Sequence, residues 1–151
     1  MSTRTGQCLC GGVGFTAHGD VIEADACHCS MCRRQGGGGP YFAVQFKSGI
    51  TLDASDTLSW YRGSDHGERG FCTNCGASIA WRLQSHPEKI GVSLGALNDT
   101  SGIALDAHIF TDSAPDYYAV PTDAPHKPEA QVIQEFMERL QKATQKEVEN
   151  T

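Results

Sequence analysis

The chain has 151 residues and a formal net charge of −6, with a sequence pI of about 5.4. This length, with 39% hydrophobic residues, predicts one domain with one core. The acidic balance argues against a nucleic-acid partner, because polyanion binding depends on clustered lysine and arginine. The start "MSTRTGQC" has no signal-peptide apolar segment, and no apolar run could span a membrane. We therefore expect a cytoplasmic protein with no membrane partner.

Six short runs rich in β-branched and aromatic residues alternate with turn residues along the chain. They span residues 13–18, 40–47, 57–62, 77–83, 89–94 and 105–110. This spacing, with seventeen glycines to supply turns and bulges, predicts a mainly antiparallel β domain. The aromatic residues of these runs are predicted to lie in the core, and they include Phe42, Phe46, Trp60 and Trp81.

The C-terminal segment is the part of the chain that is predicted to be helical. Pro128 suits a first helical turn, and the apolar residues that follow at helical spacing are Val132, Ile133, Phe136, Met137 and Leu140. We predict a helix with one face on the sheet and a frayed tail at 141–151. A partner-binding helix is the alternative. Residues 1–127 are expected to form the β domain, and residues 128–151 the helix and tail of that same domain.

The seven cysteines fall into three tight clusters. These are "CLCGG" with Cys8 and Cys10, "CHCSMC" with Cys27, Cys29 and Cys32, and "FCTNCG" with Cys72 and Cys75. In a reducing cytosol such spacings are typical of metal ligands rather than disulfides. A redox role for a C-x-x-C pair is disfavoured, because the βαβ pattern that surrounds a thioredoxin-like motif is missing from the sequence.

The two doublets can combine into one four-thiolate site, the four-cysteine group of Cys8, Cys10, Cys72 and Cys75. Gly76 can take the positive φ that a C-x-x-C turn usually needs, and Gly11 and Gly12 let the backbone curl after C-x-C. The triplet, called here the three-cysteine group, then stands alone. Four thiolates are typical of a structural zinc ion, whereas three protein ligands are typical of a catalytic or exchangeable one. The sequence therefore predicts two zinc ions per chain.

Other interpretations of the triplet remain open. A histidine could complete its ligand set, or all seven thiols could serve folding alone. His28 is the nearest candidate, but it lies between two ligating cysteines and should point to the opposite side. We therefore expect His28 to lie beside the site or on the surface.

Three thiolates more than cancel the charge of a zinc ion, so the ion polarises a bound water weakly and hydrolysis is disfavoured. An open site of this kind suits the capture of a thiol as its thiolate, which then attacks an electrophile such as an aldehyde. Arg33 and Arg34 could bind substrate carboxylates, and Gly36 and Gly37 let backbone N–H groups approach a ligand. Exposed arginines and an ordinary loop are the alternatives.

Five segments together resemble a known family. They are "CLCGGVGFTA", "CHCSMCRRQGGG", "RGFCTNCGASI", "GVSLGALND" and "HIFTDSAPDYY", and they cover most of residues 7–118. The chain resembles the glutathione-dependent formaldehyde-activating enzyme family, also called the GFA or CENP-V domain, with its Mss4-like zinc-binding antiparallel β fold. The resemblance implies a structural zinc ion on the four-cysteine group and a catalytic one on the three-cysteine group. It also implies a carbon-sulfur lyase that joins glutathione to formaldehyde, giving S-(hydroxymethyl)glutathione.

Two positions qualify the resemblance. Where relatives commonly carry tryptophan, this chain has Asp116, which would repel the carboxylates of glutathione if it lined the pocket. His108 matches a position that the family often fills with histidine, although a buried histidine bonded to the backbone is the simpler interpretation. The sequence does not identify a general base among His28, His108 and water. A zinc-stabilised binding module, or an enzyme for another thiol or electrophile, stays as the alternative, and the oligomeric state is open.

Overall fold

The computed structural model describes residues 2–149, which contain eleven strands and two α-helices. The strands are β1 (Thr3–Gln7), β2 (Gly14–His18), β3 (Val21–Cys27), β4 (Tyr41–Phe46), β5 (Ile50–Ala54), β6 (Leu58–Arg62), β7 (Gly67–Cys72), β8 (Ser78–Leu83), β9 (His86–Ser93), β10 (Ala107–Ile109) and β11 (His126–Lys127). The helices are α1 (Ser30–Gln35) and α2 (Glu129–Glu149). The predicted class, mainly β with a C-terminal helix, is confirmed.

The strands form two sheets. One has three strands in the order β1-β2-β5, and the other has eight in the order β11-β10-β3-β4-β9-β8-β7-β6. Most neighbouring strands are antiparallel, as predicted, but β10 runs parallel to both β3 and β11. Parallel strands need long connections, which leave no local signal in the sequence. This pairing places His108 opposite Ala26, close to the end of β3.

The core draws its side chains from both sheets. Phe15 of the smaller sheet is fully buried, as are Ile79 and Val44 of the larger one. Burial of a side chain of this size stabilises the fold by about 1.5–3 kcal/mol. Phe46 is also buried, as predicted, but the prediction is wrong for Phe42, which is 39% exposed. Trp60 and Trp81 are half-buried.

Several elements are missing from the sequence prediction: β1, β3, β5, β7, β11 and α1. The sequence of β3 carries acidic residues, and that of β7, "GERGFC", has two glycines. Both strands lie inside the larger sheet with a partner on each side. Tertiary pairing therefore outweighs their weak local strand preference. The helix α1 is only six residues long, and its N-cap is the thiol of Cys29, which is not one of the usual capping residues.

The helix α2 is longer than predicted and packs more loosely on the domain. Its last turns include residues 141–149, so the predicted fraying is wrong there; residues 150 and 151 lie outside the described residues. Ile133 and Met137 are half exposed, at 49% and 50%. Polar contacts fix the helix, including an ion pair of 3.2 Å between Arg139 and Glu23. Within residues 2–149, neither helix has the length and apolar character that crossing a membrane needs.

Candidate metal centres and neighbouring cavities

The four-cysteine group joins two loops that are far apart in the sequence. Cys8 and Cys10 follow β1, Cys72 ends β7, and Cys75 lies in the turn before β8. Their sulfur atoms all lie within 4.8 Å of one another. The distance is 3.6 Å between Cys8 and Cys10, and 3.8 Å between Cys10 and Cys72. Sulfur atoms bound at about 2.3 Å to one tetrahedral zinc ion lie just under about 4 Å apart, so this group fits a metal ion.

The backbone around this group curls as the sequence predicts. Gly76 has a φ of 75° and Gly11 a φ of 79°, which side chains of L residues rarely adopt. The N–H of Gly76 donates to the carbonyl of Cys72 at 2.8 Å and closes the C-x-x-C turn. Glycine at these two positions therefore lets the sulfur atoms of each doublet converge.

Neutral donors bond the sulfur atoms of the four-cysteine group. The backbone N–H of Val13 donates to Cys8 Sγ at 3.2 Å, and the side-chain amide of Asn74 donates to Cys10 Sγ at 3.2 Å. The Thr57 hydroxyl lies 3.2 Å from Cys72 Sγ. This bond, followed by those from backbone N–H groups, lowers the pKa of the Cys72 thiol to about 6. Ionised thiols are the form that binds a metal ion.

The three-cysteine group lies where β3 passes into α1. Cys27 ends the strand, Cys29 is the N-cap of the helix, and Cys32 lies within it. All three sulfur atoms are within 4.8 Å of one another. Cys29 and Cys32 are buried, whereas Cys27 is half-buried. The helical turn brings the last two together, and the backbone N–H of Cys32 donates to Cys29 Sγ at 3.4 Å.

A buried cation borders the three-cysteine group. Arg69 of β7 is 9% exposed, and its Nη1 donates to Cys32 Sγ at 3.5 Å and to Gln35 Oε1 at 3.2 Å. Hydrogen bonds from Cys27 and Cys32, with a smaller contribution from the charge of Arg69, lower the pKa of Cys29 to about 2. The bonds to its two neighbours raise the pKa of Cys27. The group therefore favours a thiolate at Cys29, with a positive charge close by.

Two histidines form a buried pair beside this group. His28 Nε2 lies 2.9 Å from His108 Nδ1, and His28 Nδ1 lies 2.8 Å from the hydroxyl of Tyr118. Burial, and then the neighbouring His108, lowers the pKa of His28, and burial lowers that of His108. Of the two positions predicted for His28, beside the site or on the surface, the surface position is wrong, because His28 is 1% exposed. His108 is buried as predicted, but its ring bonds His28 rather than the backbone.

Two cavities lie near α1 and the glycine run. The larger, of about 790 Å³, is lined by residues that include His28, His108, Tyr117, Tyr118 and Gly37. The smaller, of about 310 Å³, is lined by Gln35, Gly36, Pro40, Tyr41, Phe42, Ser78, Ser93 and Gly95. Burial raises the pKa of Tyr41 to about 12. The two glycines predicted to contact substrate therefore border different cavities.

The predicted arginines lie outside the lining of both cavities. Arg33 is half-buried, and its Nε donates to the carbonyl of His28 at 3.2 Å. Arg34 is exposed. Asp116 is exposed as well and lines neither cavity, so the structure does not support the predicted repulsion within a pocket. Substrate contact by Arg33 and Arg34 stays a prediction.

The family model described as "glutathione-dependent formaldehyde-activating enzyme" matches residues 3–113. The chain belongs to this family. The matched segment contains all seven cysteines, so both candidate metal centres lie inside it. The helix α2 lies beyond it.

Two curated relatives and one solved structure are similar to this chain. An uncharacterised lyase of Schizosaccharomyces pombe is 25% identical over 118 residues, which are 78% of this chain and 85% of the relative. A Halomonas elongata protein, provisionally named a glutathione-dependent formaldehyde-activating enzyme, is 27% identical over 126 residues, 76% of this chain and 79% of the relative. A crystal structure of a Rhodobacter sphaeroides protein is 25% identical and covers 66% of this chain and 90% of that chain, with a TM-score of 0.48.

Three residues near the three-cysteine group escaped the sequence analysis: Arg69, Tyr41 and Tyr118. Arg69 stands three positions before Cys72, which belongs to the four-cysteine group. The motif "RGFC" therefore contains Arg69, but nothing in the motif indicates that Arg69 contacts the three-cysteine group. Tyr41 falls in a predicted strand and gives no signal beyond a core position. Tyr118 meets His28 across 90 positions of sequence, and only the fold brings the two together.

Proposed function

We propose that this chain is a zinc-dependent carbon-sulfur lyase that joins glutathione to formaldehyde and gives S-(hydroxymethyl)glutathione. The observation that carries the proposal is the three-cysteine group, where three sulfur ligands leave one position of a tetrahedral ion for a substrate. Family membership and the name of the Halomonas relative support the choice of thiol and electrophile. The four-cysteine group is proposed to hold a second zinc ion that is structural.

The donor set at each centre fits zinc. Both groups consist of cysteine sulfur, and each gathers its sulfur atoms within 4.8 Å of one another, close to the spacing of just under about 4 Å around a tetrahedral zinc ion. When bound at the three-cysteine group, a zinc ion supplies a Lewis acid that favours a soft sulfur ligand in its ionised form. Cys27, Cys29 and Cys32 are therefore proposed as the catalytic group.

The surrounding side chains have their own proposed parts in the reaction. Arg69 offsets the negative charge of three thiolates, because its guanidinium is nine-tenths buried and contacts Cys32 Sγ. Arg33 and Arg34 are proposed to attract the carboxylates of glutathione, which bind guanidinium groups in bidentate fashion. The backbone N–H groups of Gly36 and Gly37 are proposed to face the peptide part of the thiol.

We also propose that the protein works in the cytoplasm. All seven cysteines are free thiols in the structure. Thiols that serve as metal ligands persist in a reducing compartment, where disulfides are rare. Glutathione as substrate is consistent with such a compartment.

The proposal is tested by measuring the formation of S-(hydroxymethyl)glutathione above the uncatalysed rate, with protein whose metal content has been counted. We expect catalysis by the wild-type protein and its loss in Cys29→Ser. Ser30→Ala is the matched control, since Ser30 is an exposed neighbour on the same helix. A wild-type protein with two metal ions and no rate above background would contradict the proposal and favour a zinc-stabilised binding module.

A further inference from the structure

Phe110 has a backbone conformation that aromatic residues rarely adopt. Its φ is 55° and its ψ is 42°, which is the left-handed region. Among residues 2–149, no other residue apart from glycine has a positive φ. A bulky side chain in this region is an outlier, because its Cβ crowds the neighbouring backbone. Such strain persists where the surrounding structure imposes it, and it is concentrated at functional sites.

Hydrogen bonds fix the backbone on both sides of Phe110. The N–H of His28 donates to the carbonyl of Ile109 at 2.9 Å, and the N–H of Ser113 donates to the carbonyl of Phe110 at 3.1 Å. Ile109 is the last residue of β10, which lies between β3 and β11 in the larger sheet. The strand before Phe110 and the turn after it therefore hold this residue in the left-handed conformation.

The conformation of Phe110 decides which neighbours its ring meets. Alternate residues of a strand point to the same face of the sheet, so a continued β10 would place Phe110 on the face of His108. That histidine lines the larger cavity. The ring packs instead against the buried cluster of Cys29, Cys32 and Tyr41. The left-handed turn therefore brings an aromatic ring to the three-cysteine group.

The burial of these side chains agrees with a covering role for the ring. Cys29 is 8% exposed and Cys32 is 5% exposed. Phe110 is half-buried, as expected of a side chain that has the cluster on one side and solvent on the other. An apolar side chain at such a place limits the access of water to the atoms beneath it.

We propose that Phe110 is a positioning residue of the three-cysteine group. Its ring keeps water and other small molecules away from the sulfur atoms of Cys29 and Cys32, and it thereby slows the exchange of a metal ion held by the group. Apolar surroundings also lower the local dielectric, which strengthens the attraction between a thiolate and a cation. The inference rests on the proposed metal ion at this group but not on the proposed reaction.

The first test measures how fast each metal ion leaves the two-metal protein when a chelator is added. The kinetic phase that is absent in Cys29→Ser belongs to the three-cysteine group. Phe110→Gly removes the ring, and glycine adopts the left-handed region without strain. We expect this phase to become about tenfold faster, since the loss of an outer-sphere partner typically weakens a metal site by about 10- to 100-fold. The ion of the four-cysteine group should leave at the wild-type rate.

Two further variants separate this role from a purely structural one. Ile103→Gly removes another half-buried apolar side chain, which packs against the main core instead, and it should leave the phase of the three-cysteine group no faster than that of the other ion. Phe110→Leu keeps an apolar side chain and should restore slow release. An unchanged phase in Phe110→Gly overturns the inference, and so does an equal acceleration of both ions.

A second test needs neither turnover nor a metal ion at the three-cysteine group. Protein that keeps only the ion of the four-cysteine group is treated with iodoacetamide, and the alkylation of Cys29 and Cys32 is followed by mass spectrometry. We expect alkylation about tenfold faster in Phe110→Gly than in the wild type, because the thiols become more accessible. Equal rates overturn the inference. Faster alkylation in a protein that shows no turnover supports the cover at Phe110 while the proposed function fails.

Discussion

The four-cysteine group links the loop after β1 to the turn between β7 and β8, whereas the three-cysteine group lies within one stretch of chain at the start of α1. Neutral donors bond the sulfur atoms of the first group, namely a backbone N–H, a hydroxyl and an amide. The second group accepts a backbone N–H at Cys29 Sγ and, in addition, a buried guanidinium at Cys32 Sγ. Cavities border α1 and the glycine run.

The two groups use the same ligand atom, cysteine sulfur, but differ in their surroundings. A group that ties distant loops together, with all four ligands from the protein, contributes mainly to the stability of the fold. We expect a group within one local segment to contribute little to that stability. Its three cysteines leave the fourth position of a tetrahedral ion open. With the neighbouring cation, this open position is proposed to bind an anionic sulfur substrate.

The largest effect is expected from Cys75→Ser in the four-cysteine group. Zinc binding at structural sites contributes on the order of 10–16 kcal/mol in small zinc peptides, which is as large as the whole stability of a domain, about 5–15 kcal/mol. The variant should therefore be unfolded at room temperature, as measured by circular dichroism. A cooperatively folded Cys75→Ser protein with unchanged melting temperature would refute the structural role of this group.

Cys29→Ser should separate the two groups cleanly. Cys29 is the N-cap of α1, and serine is a preferred N-cap, so the helix should keep its start. We expect a folded protein with one metal ion in place of two, counted by native mass spectrometry. Loss of the fold together with the metal ion would show that the three-cysteine group is structural as well, and the contrast between the groups would disappear.

Arg69→Met should show how much the buried cation contributes to metal binding at the three-cysteine group. Removal of the cation that bonds Cys32 should weaken metal binding at the three-cysteine group by about 10- to 100-fold, as for other outer-sphere partners of metal ligands, in a chelator competition assay. The charge of Arg69 contributes to the low pKa of Cys29, after the bonds from Cys27 and Cys32. Without the charge of Arg69, the pKa of the Cys29 thiol should rise, and protons should compete better with the metal ion for this thiolate. Metal release on acidification should therefore begin at a higher pH.

The control for this prediction is Arg62→Met. Arg62 lies on the neighbouring strand β6, and its guanidinium is exposed beside Asp65. Its loss should leave metal affinity and the pH of metal release unchanged. If the two variants behaved alike, the guanidinium of Arg69 would have no specific part in holding the thiolates.

The smallest effect is expected from Arg139→Ala in α2, far from both cysteine groups in the sequence. Its ion pair with Glu23 is solvent-exposed on the arginine side, and pairs of this kind contribute about 0–1 kcal/mol. The free energy of unfolding, measured with urea, should fall by no more than that amount. Metal content should stay at two ions per chain. A loss of metal would mean that α2 supports the centres after all.

Cysteine spacing alone predicted the grouping into four and three, and the sulfur distances agree with it. Such ligand clusters can be predicted from sequence, because the C-x-C and C-x-x-C spacings bring sulfur atoms together within a short segment of chain. Arg69 and Tyr41 could not be assigned to the site in this way, since strand order in the larger sheet brings β7 and β4 to α1. The full length of α2 was not predicted either, because its last turns are polar and lack the apolar periodicity on which the helix prediction relied.

The most direct test of the contrast between the two groups is a calorimetric titration of glutathione into protein with a counted metal content. The wild-type protein with two metal ions should bind glutathione saturably, and folded Cys29→Ser with one metal ion should show no binding. Binding of equal strength by both proteins, or none by the two-metal wild type, would contradict the claim that the three-cysteine group receives the thiol.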